Sequence, residues 1–337
     1  MKILVTGAGG FLGRYVVRCL LARGHSVRAL IRPASSAPNW GSRVDTRYGD
    51  LRSELDLPSL FDGIDGVMHL ASATSGNEDT QFASSVVATE RLLDAMTRSS
   101  VKRLIHISSL VVYDWSKAAG YMDENTPLLA DPSGMGAYTI AKVWQERLVQ
   151  DVAKKAALEL TIARPGFIWG RNHVNIAAMG RRLGRSFLMF GPLTRLPLTH
   201  VYNCADCLVA MLENRDSIGR IYNIVDSDDV RVWRYVREYA RRTHQSGALI
   251  PLPYRAGYWT ARLASRISRT LFGAKGKLPS ILTPTRFESQ FKPLRYRTEL
   301  LSETLGWTPP KPLDQCLNDS YSTEREDEDV AQPVSLT

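Results

Sequence analysis

The chain has 337 residues, 44% of them hydrophobic and 23% charged, enough apolar content for one large core or two joined ones. No apolar run approaches the ~18 residues of a membrane-spanning helix, and four cysteines are too few for a disulfide framework, which argues against both a helical membrane protein and a disulfide-stapled secreted one. The formal net charge of +9 is uneven, with fifteen Lys/Arg against two acids from Arg231 to Arg297 and a nearly all-acidic stretch from Glu324 to Asp329; such a basic zone suits a phosphorylated ligand, anionic lipid or nucleic acid, and equally a solvated arginine-rich surface.

Met1-Lys2-Ile3-Leu4-Val5 runs straight into a strand pattern and leaves no room for a cleavable signal, so a cytoplasmic location is expected. Short aliphatic runs at Ile3 to Thr6, Ser26 to Ile31, Gly66 to Leu70, Arg103 to Ser108 and Leu160 to Arg164 alternate with helix-length amphipathic segments. This is the pattern that closes right-handed βαβ units into a parallel sheet. The fold class expected is therefore α/β, a Rossmann-type doubly wound parallel sheet with a smaller C-terminal substrate lobe. The core would span residues 1–165, with 200–225 returning to it through a strand at Arg220 to Val225. After Pro165 the alternation weakens and Pro, Gly and aromatic residues increase, so residues 166–199 and 226–318 are assigned to the substrate lobe. Residues 319–337 are polar, acidic and aperiodic, as in a disordered tail. Cys204 and Cys207 form a lone CxxC with neither a second pair for zinc nor a preceding strand-to-helix turn, and read as small residues on a helix; no metal site is expected.

Thr6-Gly7-Ala8-Gly9-Gly10-Phe11-Leu12-Gly13 follows the first strand and opens a helix over Arg14 to Arg23. Gly7 permits the tight turn, Gly9 or Gly10 lets backbone approach a pyrophosphate, and Gly13 lets helix and strand pack closely. Strand, turn and helix all fall where dinucleotide binding requires them. A carboxylate at the end of the second strand would favour NAD by bonding the ribose 2′-hydroxyl. This chain has Arg28-Ala29-Leu30-Ile31-Arg32-Pro33, and Arg32, aided by Ser35 and Ser36, suits a 2′-phosphate instead, so NADP is favoured over NAD.

Tyr138-Thr139-Ile140-Ala141-Lys142 puts a phenol and an ammonium on one helix face. A phenol of pKa near 10 is a poor proton shuttle at neutral pH, and a nearby ammonium favours its phenolate. With 13 Tyr and ten Lys in the chain, roughly 0.4 such pairs arise by chance, so context has to carry the assignment.

That context is an ordered series: the Thr-Gly-x-x-Gly-x-x-Gly start, Gly49-Asp50-Leu51, His69-Leu70-Ala71-Ser72, Ser108-Ser109-Leu110-Val111-Val112-Tyr113, then Glu124, Pro127 and Pro132 ahead of Tyr138, Arg164-Pro165-Gly166, and Leu305-Gly306-Trp307-x-Pro309. From Met1 to about Pro312 the chain resembles the extended short-chain dehydrogenase/reductase superfamily, the NAD-dependent epimerase/dehydratase family. The resemblance implies Ser109, Tyr138 and Lys142 as the catalytic set: Ser109 would bond the substrate oxygen, Tyr138 would be general acid or base, and Lys142 would hold the nicotinamide ribose and tune Tyr138. It implies that Asp50 and Leu51 meet the adenine, that Ala71 and Ser72 meet the middle of the cofactor, and that Pro165 to Ile168 border nicotinamide and substrate. Gly7, Gly9, Gly10, Phe11, Leu12, Gly13 and Arg32 complete the cofactor set. Substrate contacts are expected from Ser109, Phe167, Trp169 and Arg171, with Phe187, Met189 and Phe190 as a possible apolar wall or as core.

Two departures from the family pattern stand out. Ser85-Val86-Val87-Ala88-Thr89 replaces the usual Asn before Val-x-Gly-Thr, which leaves a fourth catalytic polar group in doubt. Sugar-nucleotide 4,6-dehydratases carry Asp-Glu after the catalytic Thr, where Leu110 and Val111 stand here, so dehydration is disfavoured.

The stretch from Pro251 through Pro279, Leu282-Thr283-Pro284 and Leu305-Gly306-Trp307 looks like the 3β-hydroxysteroid and sterol 4-carboxylate dehydrogenase branch, whose substrates are bulky lipid alcohols. The function expected is interconversion of a hydrophobic alcohol and ketone by hydride transfer, with Tyr138 protonating the forming alkoxide. The alternatives are a nucleotide-sugar epimerase using Arg164, Arg171 and Arg195 on a diphosphate, and a non-catalytic NADP-sensing scaffold; nucleic acid is a weaker fit than a small molecule. A homodimer through Val86 to Arg98 and Tyr138 to Lys155 is implied by the family. Trp259, Leu263, Ile267 and Leu271 recur every four residues beside Arg262, Arg266 and Arg269; packing on the lobe is the expectation taken, with a peripheral membrane contact the other reading.

Overall fold

The computed structural model describes the chain apart from residues 34, 36, 37, 54, 55, 227, 228, 245, 246, 273–277, 280, 281 and 323–337. Seven strands, β1 (Lys2–Thr6), β2 (Ser26–Ile31), β3 (Val44–Tyr48), β4 (Gly66–His69), β5 (Arg103–Ile107), β6 (Glu159–Pro165) and β7 (Ile221–Ile224), form one parallel sheet in the order β7-β6-β5-β4-β1-β2-β3. Chain direction across the sheet reverses between β1 and β4, so the loops leaving those two strands diverge to opposite faces and open a crevice at their carboxyl ends.

The sheet is covered on both faces, which is why its inner strands read as unbroken aliphatic runs. Helices α1 (Phe11–Ala22) and, later in the chain, Val201–Glu213 pack on one face with Trp307. On the other face lie α2 (Ala88–Thr97) and α3 (Ala137–Lys155). Counting onward, Val201–Glu213 is α4, followed by α5 (Val232–Arg242), α6 (Tyr254–Phe272), α7 (Pro284–Phe291) and α8 (Leu313–Tyr321). The α/β doubly wound architecture is as expected from the sequence. The strands at Ser26 to Ile31 and the others nominated lie within a residue of their observed ends, and α1 starts earlier, at Phe11.

Four differences have physical reasons. Strand β3, Val-Asp-Thr-Arg-Tyr, escaped notice because it is a sheet edge with partly or fully exposed residues and no apolar run. Asp319, Ser320 and Tyr321, expected in the disordered tail, end α8 instead: Cys316, Leu317 and Ser320 are buried and Lys311 pairs with Asp319 at 2.7 Å. The rest of that tail, 323–337, lies outside the described residues. Phe187 and Met189 join Trp169 and Val236 in one core cluster, and Phe190 joins Phe287 and Phe291 in another. Finally, α6 does not bury its large apolar residues; Gly257, Ala261 and Ser268 face inward.

Cys204 and Cys207 sit on α4, fully buried, and burial pushes both thiols up, which leaves them protonated packing residues.

Candidate active site

A cavity of about 630 Å³ occupies the crevice at the carboxyl ends of β1, β2, β4, β5 and β6. Its floor at one end is the turn from β1 into α1. Gly7 adopts φ +72°, and a Cβ there would stand 2.9 Å from the Ala71 amide nitrogen. A Cβ on Gly13 would meet the Gly7 carbonyl oxygen at 2.2 Å, so these two glycines hold strand, turn and helix in contact. Helix α1 begins at N-cap Gly10, which supplies no side-chain acceptor for the first-turn N–H groups. Those donors and the helix dipole suit a pyrophosphate, and the glycine cradle leaves it room. Arg32, Ser35, Asp50 and Arg52 line the side next to β2; Asp50 is bound by Arg52 at 2.7 Å, and that guanidinium holds its carboxyl below the usual range. Ser36 lies outside the described residues.

At the other end Ser109, Tyr138 and Lys142 come together. Ser109 leaves β5 with extended backbone and caps the short Leu110–Val112 turn, which directs its hydroxyl into the cavity. Tyr138 and Lys142 project from the first turns of α3, one helical turn apart. Burial raises the Tyr138 phenol above its ordinary pKa, opposed by a hydrogen bond with Ser109. Lys142 is 3% exposed, and burial brings its ammonium down to about 7, opposed by Glu146. Its Nζ donates to the Ile107 carbonyl oxygen at 2.8 Å and to Gln145 Oε1 at 2.9 Å. Burial and the Ser109 hydrogen bond act on the Tyr138 phenol, while Lys142 Nζ is held by the Ile107 carbonyl and the Gln145 amide.

Behind Lys142 runs a buried relay. Gln145 Nε2 donates to Thr89 Oγ1 at 2.8 Å, Thr89 Oγ1 lies 2.7 Å from His69 Nε2, and His69 Nδ1 lies 2.7 Å from Thr6 Oγ1. Burial and the Lys142 charge depress His69 to about 3, so its ring is neutral. At the π-helical turn Ala83–Val87 the Ser85 carbonyl accepts from the Ala88 N–H and also from Thr89 Oγ1 and Gln145 Nε2. The departure noted at Ser85 to Thr89 thus feeds this relay. Of that stretch only Ala88 lines the cavity, together with Ser84 just before it.

A sequence model described as the NAD dependent epimerase/dehydratase family matches residues 3–225. The chain belongs to that family. Among curated relatives of this epimerase/dehydratase chain, a 4-hydroxy-2-methyl-3-oxo-4-farnesyl-3,4-dihydroquinoline-1-oxide ketoreductase of Stigmatella aurantiaca is 27% identical, over 80% of this chain and 82% of the relative. A UDP-glucose 4-epimerase of Vibrio cholerae is 25% identical over 93% and 92%. A 3 beta-hydroxysteroid dehydrogenase/Delta 5-->4-isomerase of Mycobacterium tuberculosis is 27% identical over 94% and 89%. A crystal structure of UDP-glucuronic acid 4-epimerase from Bacillus cereus in complex with NAD superposes with TM-score 0.71 at 20% identity, covering 95% of this chain and 97% of that one, and shows the same fold.

The cavity of this epimerase/dehydratase family member gathers most of the residues nominated from its sequence: Gly7, Gly9, Gly10, Phe11, Leu12, Gly13, Arg32, Asp50, Leu51, Ala71, Ser72, Ser109, Tyr138, Lys142, Pro165, Phe167 and Ile168 all line it. Trp169 and Arg171 do not. Trp169 is fully buried against His200 and Tyr235 in the core, while Phe167 and Ile168 just before it reach the cavity. Arg171 turns to α8, donating to the Asp319 carbonyl at 3.3 Å and to Ser322 Oγ at 2.6 Å. Arg164 is buried with Glu146, and Arg195 pairs with Asp229. Sequence reasoning missed His173, which stacks on Phe11 at 3.9 Å, and Trp115 and Ser289. Trp115 stands two residues beyond a recognised motif; Ser289 carries no local signal, since α7 reaches the cavity only through tertiary packing.

Proposed function

We propose that the protein is an NADP-favouring dehydrogenase or reductase that interconverts an alcohol and a ketone on a hydrophobic, sterol- or lipid-like substrate. The observation that carries this reading is the composition of the cavity around Ser109 and Tyr138. Leu110, Val111, Trp115, Phe167, Ile168 and Pro197 line it there, and the arginines that a sugar diphosphate would need, Arg164, Arg171 and Arg195, are committed to other partners. Residues of 166–199 and 226–318 supply much of this wall through Phe167, Ile168, Pro197 and Ser289, which supports their assignment as a substrate lobe. Among the described residues Asp50 is the sole acid lining the cavity, and it is paired with Arg52, which argues against a carboxylate free for water elimination.

A bound nicotinamide dinucleotide supplies or accepts the hydride. The glycine turn and the α1 N-terminus would hold its pyrophosphate and Arg32 a 2′-phosphate. Ser109 would donate to the substrate oxygen and hold it beside Tyr138. Tyr138, raised in pKa and protonated at neutral pH, would give its phenolic proton to that oxygen in the reductive direction and take it back in the other. Lys142 would restore the charge balance and orient the cofactor ribose. The names of the ketoreductase and steroid dehydrogenase relatives agree with this reading; that of the UDP-glucose relative favours an epimerase.

The same reading includes a homodimer through α2 and α3, on whose flanks Phe82, Val87 and Trp144 remain exposed; a monomer on sizing would end that part. The deciding assay follows NADPH and NADH consumption with a panel of sterol-like and isoprenoid ketones, alongside UDP-hexoses. Net oxidation of NADPH on an apolar ketone, lost by about two to four orders of magnitude in Tyr138→Phe with cofactor affinity retained, is the expected result. Isomer exchange on a UDP-hexose with no net cofactor change would replace it with epimerisation, and salt-sensitive nucleic-acid binding without any turnover would leave a sensing scaffold.

A further inference from the structure

Helix α6 is built inside out for a helix packed on a globular lobe. Its small residues, Gly257, Ala261 and Ser268, face the protein, and a Cβ on Gly257 would stand 2.5 Å from the Phe287 ring of α7. Tyr254 and Tyr258 in its first turns pack partly on the cluster of Phe190 and Phe287, but the ridge that follows faces outward: Trp259, Leu263, Ile267 and Leu271 are 59%, 60%, 49% and 68% exposed. Four exposed arginines, Arg255, Arg262, Arg266 and Arg269, run beside them, and the helix carries no acidic residue. Among the described residues none of the four makes an ion pair; Arg262 lies over the Trp259 ring at 5.2 Å. Ile250, on the strand leading into α6, adds a fifth exposed large apolar residue nearby in sequence.

An apolar ridge flanked by arginines that no acid among the described residues pairs has two requirements, a non-polar medium for one and anions for the other. We propose that α6 docks the protein on the surface of an anionic phospholipid bilayer, lying in the interface plane. Trp259, Leu263, Ile267 and Leu271 enter the acyl boundary, and the arginine stems reach along the helix to the phosphates. At 19 residues the helix is long enough for several turns of contact, and no helix among the described residues is long and apolar enough to cross a membrane. A second copy of the chain fits the surface less well, because a twofold contact through α6 sets its arginines against their own symmetry mates. Docking of this kind holds whichever alcohol or ketone the cavity takes.

The test is sedimentation of the full-length protein with vesicles of equal phosphatidylglycerol and phosphatidylcholine, with pure phosphatidylcholine vesicles in parallel. Co-sedimentation with the anionic vesicles, weakened at high salt and weaker on the neutral ones, is expected. Leu263→Ser/Ile267→Ser and Arg262→Gln/Arg266→Gln should each reduce partitioning by at least about tenfold. All four side chains are exposed, and an unchanged melting temperature and gel-filtration volume would verify that the variants fold alike. The proposal is overturned if the wild type stays in the supernatant with anionic vesicles, binds neutral vesicles equally well, or if the variants sediment as it does. A dimer on sizing that the Leu263→Ser/Ile267→Ser change dissolves would give the surface to a second copy instead.

Discussion

Gln145 accepts a hydrogen bond from Lys142 Nζ at 2.9 Å, three residues back on the same helix, and passes its own amide protons to Thr89 and the Ala71 carbonyl. Lys142 is thus positioned by an uncharged amide in a buried relay, which leaves its charge poised near neutrality where a carboxylate would fix it. Gln145→Met removes the acceptor at similar volume and is expected to lower kcat roughly tenfold to hundredfold, the scale of one unsatisfied buried partner. Gln145→Glu supplies a negative charge that raises the Lys142 pKa, so the alkaline limb of the kcat profile should move to higher pH. Unchanged profiles in both variants would remove Gln145 from this positioning role.

The Lys142 pKa also has a signature in stability. Burial lowers it from 10.5 to about 7. Below about pH 7 both folded and unfolded chains hold the proton, and the full cost of burying the ammonium is present. Between about 7 and 10.5 the unfolded chain binds more protons than the folded one, so this group's contribution to stability improves as pH rises. Denaturant unfolding of wild type and Lys142→Met across that range should show wild type gaining on the variant with increasing pH. Parallel curves would mean that Lys142 stays charged in the folded protein.

Arg32 lines the cavity at the end of β2, a position where no acid precedes or follows it. Arg32→Ala is expected to weaken NADPH binding by about tenfold to a hundredfold, the loss of a charge-assisted contact, and to leave NADH binding almost unchanged. Isothermal titration with both cofactors reads the difference directly. Equal losses for the two would show that Arg32 does not meet a 2′-phosphate.

Arg164 and Glu146 form an ion pair in which both side chains are 2% exposed, and Arg164 also donates to the Tyr113 hydroxyl at 2.8 Å. Breaking a buried pair on one side strands the other charge, so Glu146→Ala should cost about 3 to 5 kcal/mol and lower the melting temperature. The double change Arg164→Met/Glu146→Leu should recover a large part of that loss, because it removes both charges. A double variant no more stable than Glu146→Ala would show that Arg164 contributes chiefly through Tyr113.

Alternation of aliphatic runs with amphipathic helices determined the doubly wound sheet by itself, because a strand buried on both faces must be apolar throughout and a parallel neighbour requires a crossover. The glycine turn was equally legible: Gly7 and Gly13 stand where a side chain would strike backbone, and no other residue type meets that demand. Helix geometry puts Tyr138 and Lys142 on one face, but that spacing also arises by chance, and it was the ordered motifs around them that singled the pair out. What tertiary structure decided were matters of distant partners. Arg171 is drawn to a carbonyl 148 residues away, and Trp169 is turned to the core while its neighbour Ile168 lines the cavity. Lys142 owes its depressed pKa to burial between α3 and β5, and at Gly257 the Phe287 ring leaves no room for a side chain on the inner face of α6 while its apolar ridge stays outward. Local sequence sets backbone periodicity and allowed turns; side-chain direction, desolvation and charge pairing depend on what the folded chain brings alongside, and no window of sequence contains that.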